Sequence, residues 1–303
     1  MRPALRYTFT YAPGCRMCNA GAQEQRVTGR RLNRSQGLRP WLLDGIAVSV
    51  KHCGGCGLIY ADPMPVPFDL QDHYGVAPEQ YWAPDYLGDI TRPYQWLIQL
   101  AREQMPGVQS PRVLDVGAGV GKAMRAFNEA GFDTHGLEPS EPFHRQAIER
   151  MKIDPERLKL ASVESAVYPP GHFDLIIFHV VLEHVPEPEK ALVKSLEWLK
   201  TGGFISIEVP SARWLVNRLV NVYYRLRGTD HVANLSPMHE PFHLYEFTLA
   251  SFQSFARAHG AEVVHHQYFV CDTFLPKWMD RLMKPLMSMT DTGMELNVWL
   301  RKR

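Results

Sequence analysis

The sequence lacks the features that would place the protein in a membrane or outside the cell. Its 303 residues contain no uncharged apolar run of about 18 residues, the length that a transmembrane helix needs. The N-terminal stretch MRPALRYTFTYAPGC also lacks the apolar core of about 7–15 residues that export signals carry. These absences predict a cytoplasmic protein without a membrane-spanning segment.

A strong excess of charge of one sign is also missing. The formal net charge is +1, charged residues make up 21% of the chain and apolar residues 45%. No overall field therefore draws this chain to nucleic acid or to anionic lipid. The charge is uneven, however, because residues 1–60 contain nine Lys and Arg against two Asp and Glu, a net +7 that leaves −6 for the remainder.

Cysteine is scarce, but four of the five cysteines form two close pairs. Two residues separate Cys15 from Cys18, and two separate Cys53 from Cys56. Without an export signal, such pairs indicate metal ligation rather than disulfides. Two C-x-x-C turns can place four thiolates tetrahedrally around Zn²⁺, which predicts a structural, zinc-ribbon-like module over residues 1–62. A redox role is the alternative, although neither pair follows a strand of a βαβ unit.

The rest of the chain divides into a connector and an α/β domain. Residues 63–110 are rich in Pro, Tyr and Trp and predict a connector that packs on the next domain and ends in a helix at about 93–105. Strands and helices then alternate over 111–303, which predicts a Rossmann-like sheet of seven strands, mostly parallel with one antiparallel strand. The expected strands are 112–116, 133–138, 158–161, 173–178, 204–209, 262–269 and 293–301. Residues 211–247 form an insertion that we expect to cover an acceptor as a lid.

A glycine-rich turn, VLDVGAGVG, joins the first strand of this domain to its first helix. Gly117 and Gly119 let the backbone approach a ligand without a Cβ in the way. A dinucleotide site wants G-x-G-x-x-G, but the sixth position here is Lys122. Asp115 at the strand end disfavours a pyrophosphate and favours the positive sulfonium and ammonium of S-adenosylmethionine (SAM).

Two further strand ends supply candidate nucleoside contacts. Glu138 ends the second strand, where a carboxylate can accept hydrogen bonds from both ribose hydroxyls, as it also does in NAD sites. Ser162 and Val163 follow the third strand, and we expect them to flank an adenine ring because ligands bind at the strand ends of open α/β sheets.

The stretch from Arg112 to Pro210 resembles class I SAM-dependent methyltransferases. VLDVGAGVG is similar to their first motif, HGLEPS to their second, HFDLIIFHVVLEHVPEPEKAL to the motif after strand four, and LKTGGFISIEVP to their fifth-strand turn. Four motifs in order make the resemblance specific over roughly a third of the chain. It implies a SAM site with His179 beside the cofactor and with contacts from Asp115, Gly117, Ala118, Gly119, Glu138 and Pro139.

The N-terminal part has a resemblance of its own. CGGCGLIYADPMP, followed by Tyr74, Tyr81 and Tyr86, is similar to the zinc module of certain sugar C-methyltransferases and their relatives. Those C-methyltransferases carry a further C-terminal domain, whereas this chain ends soon after its last predicted strand.

The basic excess is densest at Arg30, Arg31, Arg34 and Arg39. Four zinc-bound thiolates would lower it to about +5. We expect a solvated basic loop, or a site for an anionic small molecule such as a nucleotide-sugar or a carboxylate, rather than an RNA footprint.

Methyl transfer to a hydroxyl or a carbon acid needs a group that accepts a proton. Glu183 and His184 follow the fourth strand, and the insertion contains a second set of candidates, His239, Glu240, His243 and Tyr245. We expect His243 or His184 as general base, with Glu240 and Tyr245 orienting the base or the substrate. His239 and His243 would share a face if the segment is helical, which Pro241 opposes, and with Glu240 would offer ligands for a catalytic metal. A hydrogen-bonded core or lid histidine is the alternative role for each.

Two amphipathic segments remain. Residues 213–227 alternate basic and apolar side chains and predict a lid helix over the substrate, with a membrane-surface helix as the alternative. We expect the four methionines of the segment 276–290 in the core or in a homodimer contact, with an adaptable apolar pocket as the alternative; they are Met279, Met283, Met287 and Met289.

Together these features predict a SAM-dependent methyltransferase that methylates an oxygen of a small sugar-like or anionic molecule. Methylation of a carbon beside a ketone, with the same histidines, is the alternative within this class. An RNA or protein methyltransferase with a zinc-ribbon recognition module, and a SAM-binding scaffold without turnover, are the alternatives from other classes.

Overall fold

One seven-stranded sheet forms the centre of the protein. The structure, a computed structural model, describes residues 7–32, 47–74, 92–239, 241–271, 273 and 275–303. The strands are β1 (Tyr7–Thr10), β2 (Gln25–Leu32), β3 (Ala47–Cys53), β4 (Ile59–Asp62), β5 (Met64–Pro67), β6 (Arg112–Val116), β7 (Asp133–Leu137), β8 (Leu158–Lys159), β9 (Phe173–His179), β10 (Leu199–Pro210), β11 (Tyr245–Glu246), β12 (Ala261–Phe269) and β13 (Glu295–Lys302). The central sheet has the order β12–β13–β10–β9–β6–β7–β8.

The direction of the strands confirms the predicted Rossmann-like architecture. β13 runs antiparallel to β10 and β12, whereas β10, β9, β6, β7 and β8 pair in parallel. The strand order reverses at β6, which has β7 on one side and β9 on the other. Ligands of open α/β sheets bind outside the strand ends at such a reversal.

Helices alternate with these strands and cover the sheet. They are α1 (Leu70–Tyr74), α2 (Gln95–Gln104), α3 (Lys122–Glu129), α4 (Glu141–Glu149), α5 (Pro188–Trp198), α6 (Leu215–Leu226), α7 (Leu249–Ala258) and α8 (Lys277–Met289). Ser140 caps α4 by accepting a hydrogen bond from the Phe143 amide, and Thr248 and Ser251 form a capping box at α7. The expected helix at 93–105 is α2, which follows a 3-10 turn at Arg92–Tyr94.

The sequence of β9 explains why both faces of the sheet are covered. Leu175 and Ile177 pack in one apolar cluster with α2, and Ile176 and Phe178 pack in the larger cluster with α5 and α7. Because alternate strand residues point to opposite faces, an uninterrupted apolar run needs a helical layer on each side.

Strand pairing crosses the predicted boundary between the N-terminal module and the connector. β5 lies in the predicted connector but pairs with β1 of the predicted module. β2, β3 and β4 form a second sheet, which is completed by β11 from the insertion. The apolar core also runs from the four paired cysteines to the central sheet without a break. The predicted module therefore packs as part of one body, because its strands find partners on both sides of residue 62.

Several predicted features differ in extent or position from the structure. The third strand of the α/β domain ends at Lys159, two residues earlier than predicted. Met287 is buried and Met289 is exposed, and neither lies in a cavity wall described below. Arg34, Arg39, Tyr81, Tyr86 and Glu240 lie outside the described residues.

No helix within the described ranges is both long enough and apolar enough to cross a membrane.

Candidate functional site: two adjoining cavities

The first cavity lies where β6 and β7 end, and we call it the glycine-turn cavity. Predicted site residues in its wall are Gly117, Gly119, Glu138, Pro139, Ser162, Val163 and His184. The apolar part of that wall includes Leu70, Tyr74, Phe143, Val180 and Val181. The strand ends thus bring together most of the residues that the sequence assigns to a nucleoside site.

The glycines of the turn are required by its backbone and by its neighbours. Gly117 has φ 72° and Gly119 has φ 57°, a region that side chains disfavour. A Cβ on Gly117 would also lie 2.6 Å from Cγ2 of Val181. The amides of Gly117 and Ala118 both donate to the Leu137 carbonyl at 2.8 Å, which ties the turn to the end of β7.

Glu138 is held in position by two backbone amides. It accepts hydrogen bonds from Gly119 at 2.6 Å and from Ser140 at 2.7 Å. Burial raises the pKa of its carboxyl to about 7, while these amides oppose that rise and nearby Asp115 adds to it. The glycine turn and the HGLEPS segment that contains Glu138 are therefore joined into one structural unit.

Asp115, Ala118 and His179 are placed differently from the other predicted cofactor contacts, since none lies in the wall of this cavity. Asp115 is buried at the end of β6, and burial raises its pKa to about 7. The His179 ring has Nε2 3.0 Å from the Ser206 hydroxyl of β10 and is nearly parallel to the Trp96 ring of α2. Burial lowers its pKa to about 3, so the ring is neutral.

The short helix α1 closes one side of the glycine-turn cavity and was not assigned a site role from the sequence. Gln71 donates to the Pro139 carbonyl at 2.7 Å, and the Ser140 hydroxyl donates to the Tyr74 carbonyl at 2.7 Å. The Tyr74 ring meets the His184 ring edge-on. The aromatic richness of the connector was the available signal for this contact.

The second cavity lies beneath the insertion, and we call it the insertion cavity. Its volume is about 600 Å³, and Val180 lies in its wall as well as in the wall of the glycine-turn cavity. Its polar lining comes from distant parts of the chain and includes Arg31, Asn217, Ser236, His239, His243, Glu246 and Glu295. The predicted lid segment 211–247 thus supplies much of this wall.

The N-terminal part reaches the insertion cavity through Arg31, which sequence reasoning placed only in a basic cluster. Arg31 Nε donates to the Leu235 carbonyl at 2.9 Å, and Nη2 lies 3.2 Å from Nε2 of His239. Burial lowers its pKa to about 10, so it remains a cation at neutral pH. Glu246 nearby accepts hydrogen bonds from Asn217, Asn234 and the Leu235 amide.

The histidine segment of the insertion is not helical. Phe242 has φ 65°, and its amide donates to the His239 carbonyl in a turn. Although the segment is a turn, His239 and His243 both line the insertion cavity. Tyr245 is directed elsewhere, because its hydroxyl donates to the Pro186 carbonyl at 2.7 Å within the core. Pro241 is one reason that this segment forms a turn instead of a helix.

A cluster of Glu183, His184 and His243 lies between the two cavities, with Glu183 buried and the two histidines partly buried. Nε2 of His184 is 3.8 Å and Nε2 of His243 is 3.7 Å from Oε1 of Glu183. Among the described residues, neither oxygen of Glu183 has a hydrogen-bond partner. Burial raises the pKa of Glu183 well above its usual value. It lowers the pKa of His243 well below the usual histidine value and that of His184 to about 4.

The four paired cysteines converge at the base of the second sheet. Their sulfur atoms all lie within 4.8 Å of one another, and Cys15–Cys56 and Cys18–Cys53 are each 3.6 Å apart. Thiolates at a Zn–S distance of about 2.3 Å around a tetrahedral ion are about 3.8 Å apart. The cluster therefore fits a tetrahedral zinc ion.

Comparison with known proteins gives a family match. Residues 89–266, more than half of the chain, match the model of a family described as a methyltransferase domain. The matched stretch includes the glycine turn, Glu138 and the insertion, and it excludes the cysteine pairs, Arg31 and Glu295.

Curated relatives are similar over the same region. A ubiquinone biosynthesis O-methyltransferase of Azoarcus sp. is 28% identical over 43% of this chain and 55% of that protein. One from Coxiella burnetii is 28% identical over 45% of this chain and 56% of its own length. The chain thus spans about half the length of the curated relatives it matches.

Solved structures share a general likeness. A SAM-dependent methyltransferase from Mesorhizobium loti is 18% identical, with a TM-score of 0.48, over 71% of this chain and 99% of that one. Another from Archaeoglobus fulgidus is 16% identical, with a TM-score of 0.46, over 69% and 94% of the two chains. Neither likeness carries an argument about activity.

Proposed function

The chain belongs to the methyltransferase domain family, and we propose that it transfers the methyl group of SAM to an oxygen of a small acceptor. The observation that carries this proposal is the contact between the two cavities. Val180 lies in both walls, so a nucleoside in the glycine-turn cavity and an acceptor in the insertion cavity would meet there. Such alignment by itself supplies part of the rate enhancement of a displacement reaction.

The residues of the glycine-turn cavity suit a positively charged nucleoside. Glu138 has a fixed carboxylate for the ribose hydroxyls, and Asp115 adds negative charge behind the turn. Charge of this sign stabilises the sulfonium of SAM and repels a diphosphate.

In the proposed reaction an acceptor oxygen forms the new O–C bond while the C–S bond breaks. The electron pair of that bond stays on sulfur and gives S-adenosylhomocysteine. The acceptor's proton leaves with the help of the Glu183–His184–His243 cluster. His243 is the preferred histidine for this role because its ring lies in the wall of the insertion cavity, whereas His184 lines the glycine-turn cavity.

The lining of the insertion cavity favours an acceptor with hydroxyl groups and an anionic group. Arg31 supplies a buried positive charge, and Asn217, Ser236 and His239 supply hydrogen-bonding groups. Arginine binds carboxylates and phosphates with two parallel hydrogen bonds.

We further propose that the four paired cysteines hold a structural zinc ion. The Thr248 hydroxyl donates to the Cys56 carbonyl at 2.5 Å, so the cluster also fixes the start of α7. Bound zinc would stabilise the second sheet and, through the β4–β11 pairing, the base of the insertion cavity.

The test is methyl transfer from SAM carrying a labelled methyl group to a panel of anionic hydroxyl compounds, each with its neutral analogue. Label in an O-methylated anionic product supports the proposal, and Arg31→Met should raise the acceptor KM about tenfold while leaving SAM affinity unchanged. Arg30→Met is the matched control, because Arg30 is exposed and pairs with Asp230. Label found only on carbon, in RNA or in protein would contradict the proposed acceptor.

A further inference from the structure

The Glu183–His184–His243 cluster directs three potential ligand atoms toward one another. Nδ1 of His184 is 3.2 Å from the Phe242 carbonyl, and a carbonyl only accepts, so this nitrogen carries the proton. Nε2 of the neutral ring then has a lone pair, and it is this atom that lies 3.8 Å from Glu183. That lone pair and the Glu183 oxygen therefore face the same space, which a proton on Glu183 or a metal ion can occupy.

The surroundings make a bare Glu183 carboxylate unfavourable. Glu183 is fully buried, with both oxygens lacking a hydrogen-bond partner in the described part of the chain. After burial, Glu295 of β13 and Glu208 of β10 raise its pKa further. Burial lowers the pKa of both His184 and His243, and neighbouring histidines lower it further, so both rings are neutral and have a lone pair for a ligand. A buried Glu183 carboxylate with neither a proton nor a cation beside it would be costly.

We propose that this cluster binds one divalent first-row metal ion through Glu183, His184 and His243. One ligand atom from each residue lies within 4.8 Å of the others. The distances from Oε1 of Glu183 to Nε2 of His184 and of His243 are 3.8 and 3.7 Å. They need to shorten by only a few tenths of an ångström for all three atoms to bind one tetrahedral ion at about 2.1 Å. The Nδ1–H to carbonyl hydrogen bond of His184 is the usual outer support of a metal-bound imidazole.

The position of the ion gives it a role in the proposed reaction, and this inference deepens that proposal. Three protein ligands leave coordination positions open, and His243 faces the insertion cavity. An acceptor hydroxyl bound to the ion would become more acidic and lose its proton to solvent water, so the ion would take the place of His243 as the group that activates the acceptor. The two imidazoles would then serve as ligands.

The experiment is titration of the zinc-loaded protein with Mn²⁺, followed by electron paramagnetic resonance of the free ion. Mn²⁺ is suited because it prefers nitrogen and oxygen ligands over the thiolates of the cysteine cluster. We expect one Mn²⁺ per chain, with affinity at least tenfold weaker in Glu183→Gln and in His243→Ala. His259→Ala is the control, because His259 pairs with Glu189 outside the cluster and should leave Mn²⁺ binding unchanged.

Folding of the variants is checked by SAM affinity and by the melting temperature without Mn²⁺. Glu183→Gln should melt no lower than the wild type, since a glutamine amide can donate to the histidine lone pairs. Absence of Mn²⁺ binding, or equal binding by wild type and Glu183→Gln, would overturn the metal site. Methyl transfer without any added ion would then leave the proposed function standing, whereas Mn²⁺ binding without SAM binding would contradict the proposed function alone.

Discussion

The two cavities of this protein are constructed in opposite ways. The glycine-turn cavity is built from strand ends of one sheet, where the Gly117 amide donates to the Leu137 carbonyl and the Gly119 amide donates to the Glu138 side chain. The insertion cavity draws Arg31 from β2, His243 from the insertion and Glu295 from β13. The first is a property of a local motif, whereas the second depends on the whole fold.

This contrast explains how much could be predicted from the sequence. The period of the apolar residues and the order of the motifs predict the central sheet. The apolar residues of each strand indicate which of its faces are buried, as in β9. Glu138 could be assigned because it ends a strand beside the glycine turn. Arg31 could not be assigned, because its position in a cavity depends on the pairing of β4 with β11, which no local pattern records.

The side-chain directions in the insertion were equally hidden from the sequence. Tyr245 and His243 lie two residues apart, yet the hydroxyl of one bonds to the core and the ring of the other lines a cavity. The turn at Phe242, with its positive φ, comes directly before His243, whereas Tyr245 begins β11. Spacing arguments assume a regular helix or strand, and this segment is neither.

The largest expected effect comes from breaking the cysteine cluster, on which the insertion cavity depends. Cys53→Ser should abolish zinc binding and lower the melting temperature by about 10 °C, corresponding to about 3 kcal/mol. Zinc content by mass spectrometry and thermal unfolding provide the readouts. Cys271→Ser is the control, since Cys271 lies outside the cluster. Full zinc content in Cys53→Ser would refute the site.

The next effect sharpens the assignment of the glycine-turn cavity. Glu138→Ala should weaken SAM binding by at least about 100-fold, because two hydrogen bonds to a charged group are lost. Isothermal titration measures the affinity, with the exposed neighbour Glu141→Ala as control. Asp115→Ala should act in the same direction, and unchanged affinity in both variants would contradict the cofactor site.

Two glycine substitutions separate the effect of backbone strain from the effect of the close contact with Val181. Gly117→Ala and Gly131→Ala each place a side chain at positive φ, but only the Cβ at 117 meets a neighbour. Both should lose about 1 kcal/mol of stability from strain, and Gly117→Ala about 1–2 kcal/mol more. Thermal unfolding and SAM titration of the two proteins provide the comparison. Equal loss in both would mean that the turn does not need its close approach to Val181.

The smallest effect is a dependence of cofactor affinity on pH. Burial raises the pKa of Asp115 and of Glu138 to about 7, so both carboxyls take up protons as the pH falls through 7. The cation binds the ionised forms, and SAM affinity should therefore be about tenfold weaker at pH 6 than at pH 8. S-adenosylhomocysteine, which lacks the sulfonium charge, should show a smaller change. An equal change for both ligands would argue against the role of these acids.

The most direct test of the account is the choice of nucleotide by the glycine-turn cavity. Isothermal titration of the purified protein with SAM, NAD and ATP measures that choice in one set of experiments. The negative charge at Asp115 and Glu138 predicts binding of SAM, with no detectable heat from NAD or ATP. Binding of NAD or ATP without binding of SAM would contradict the account.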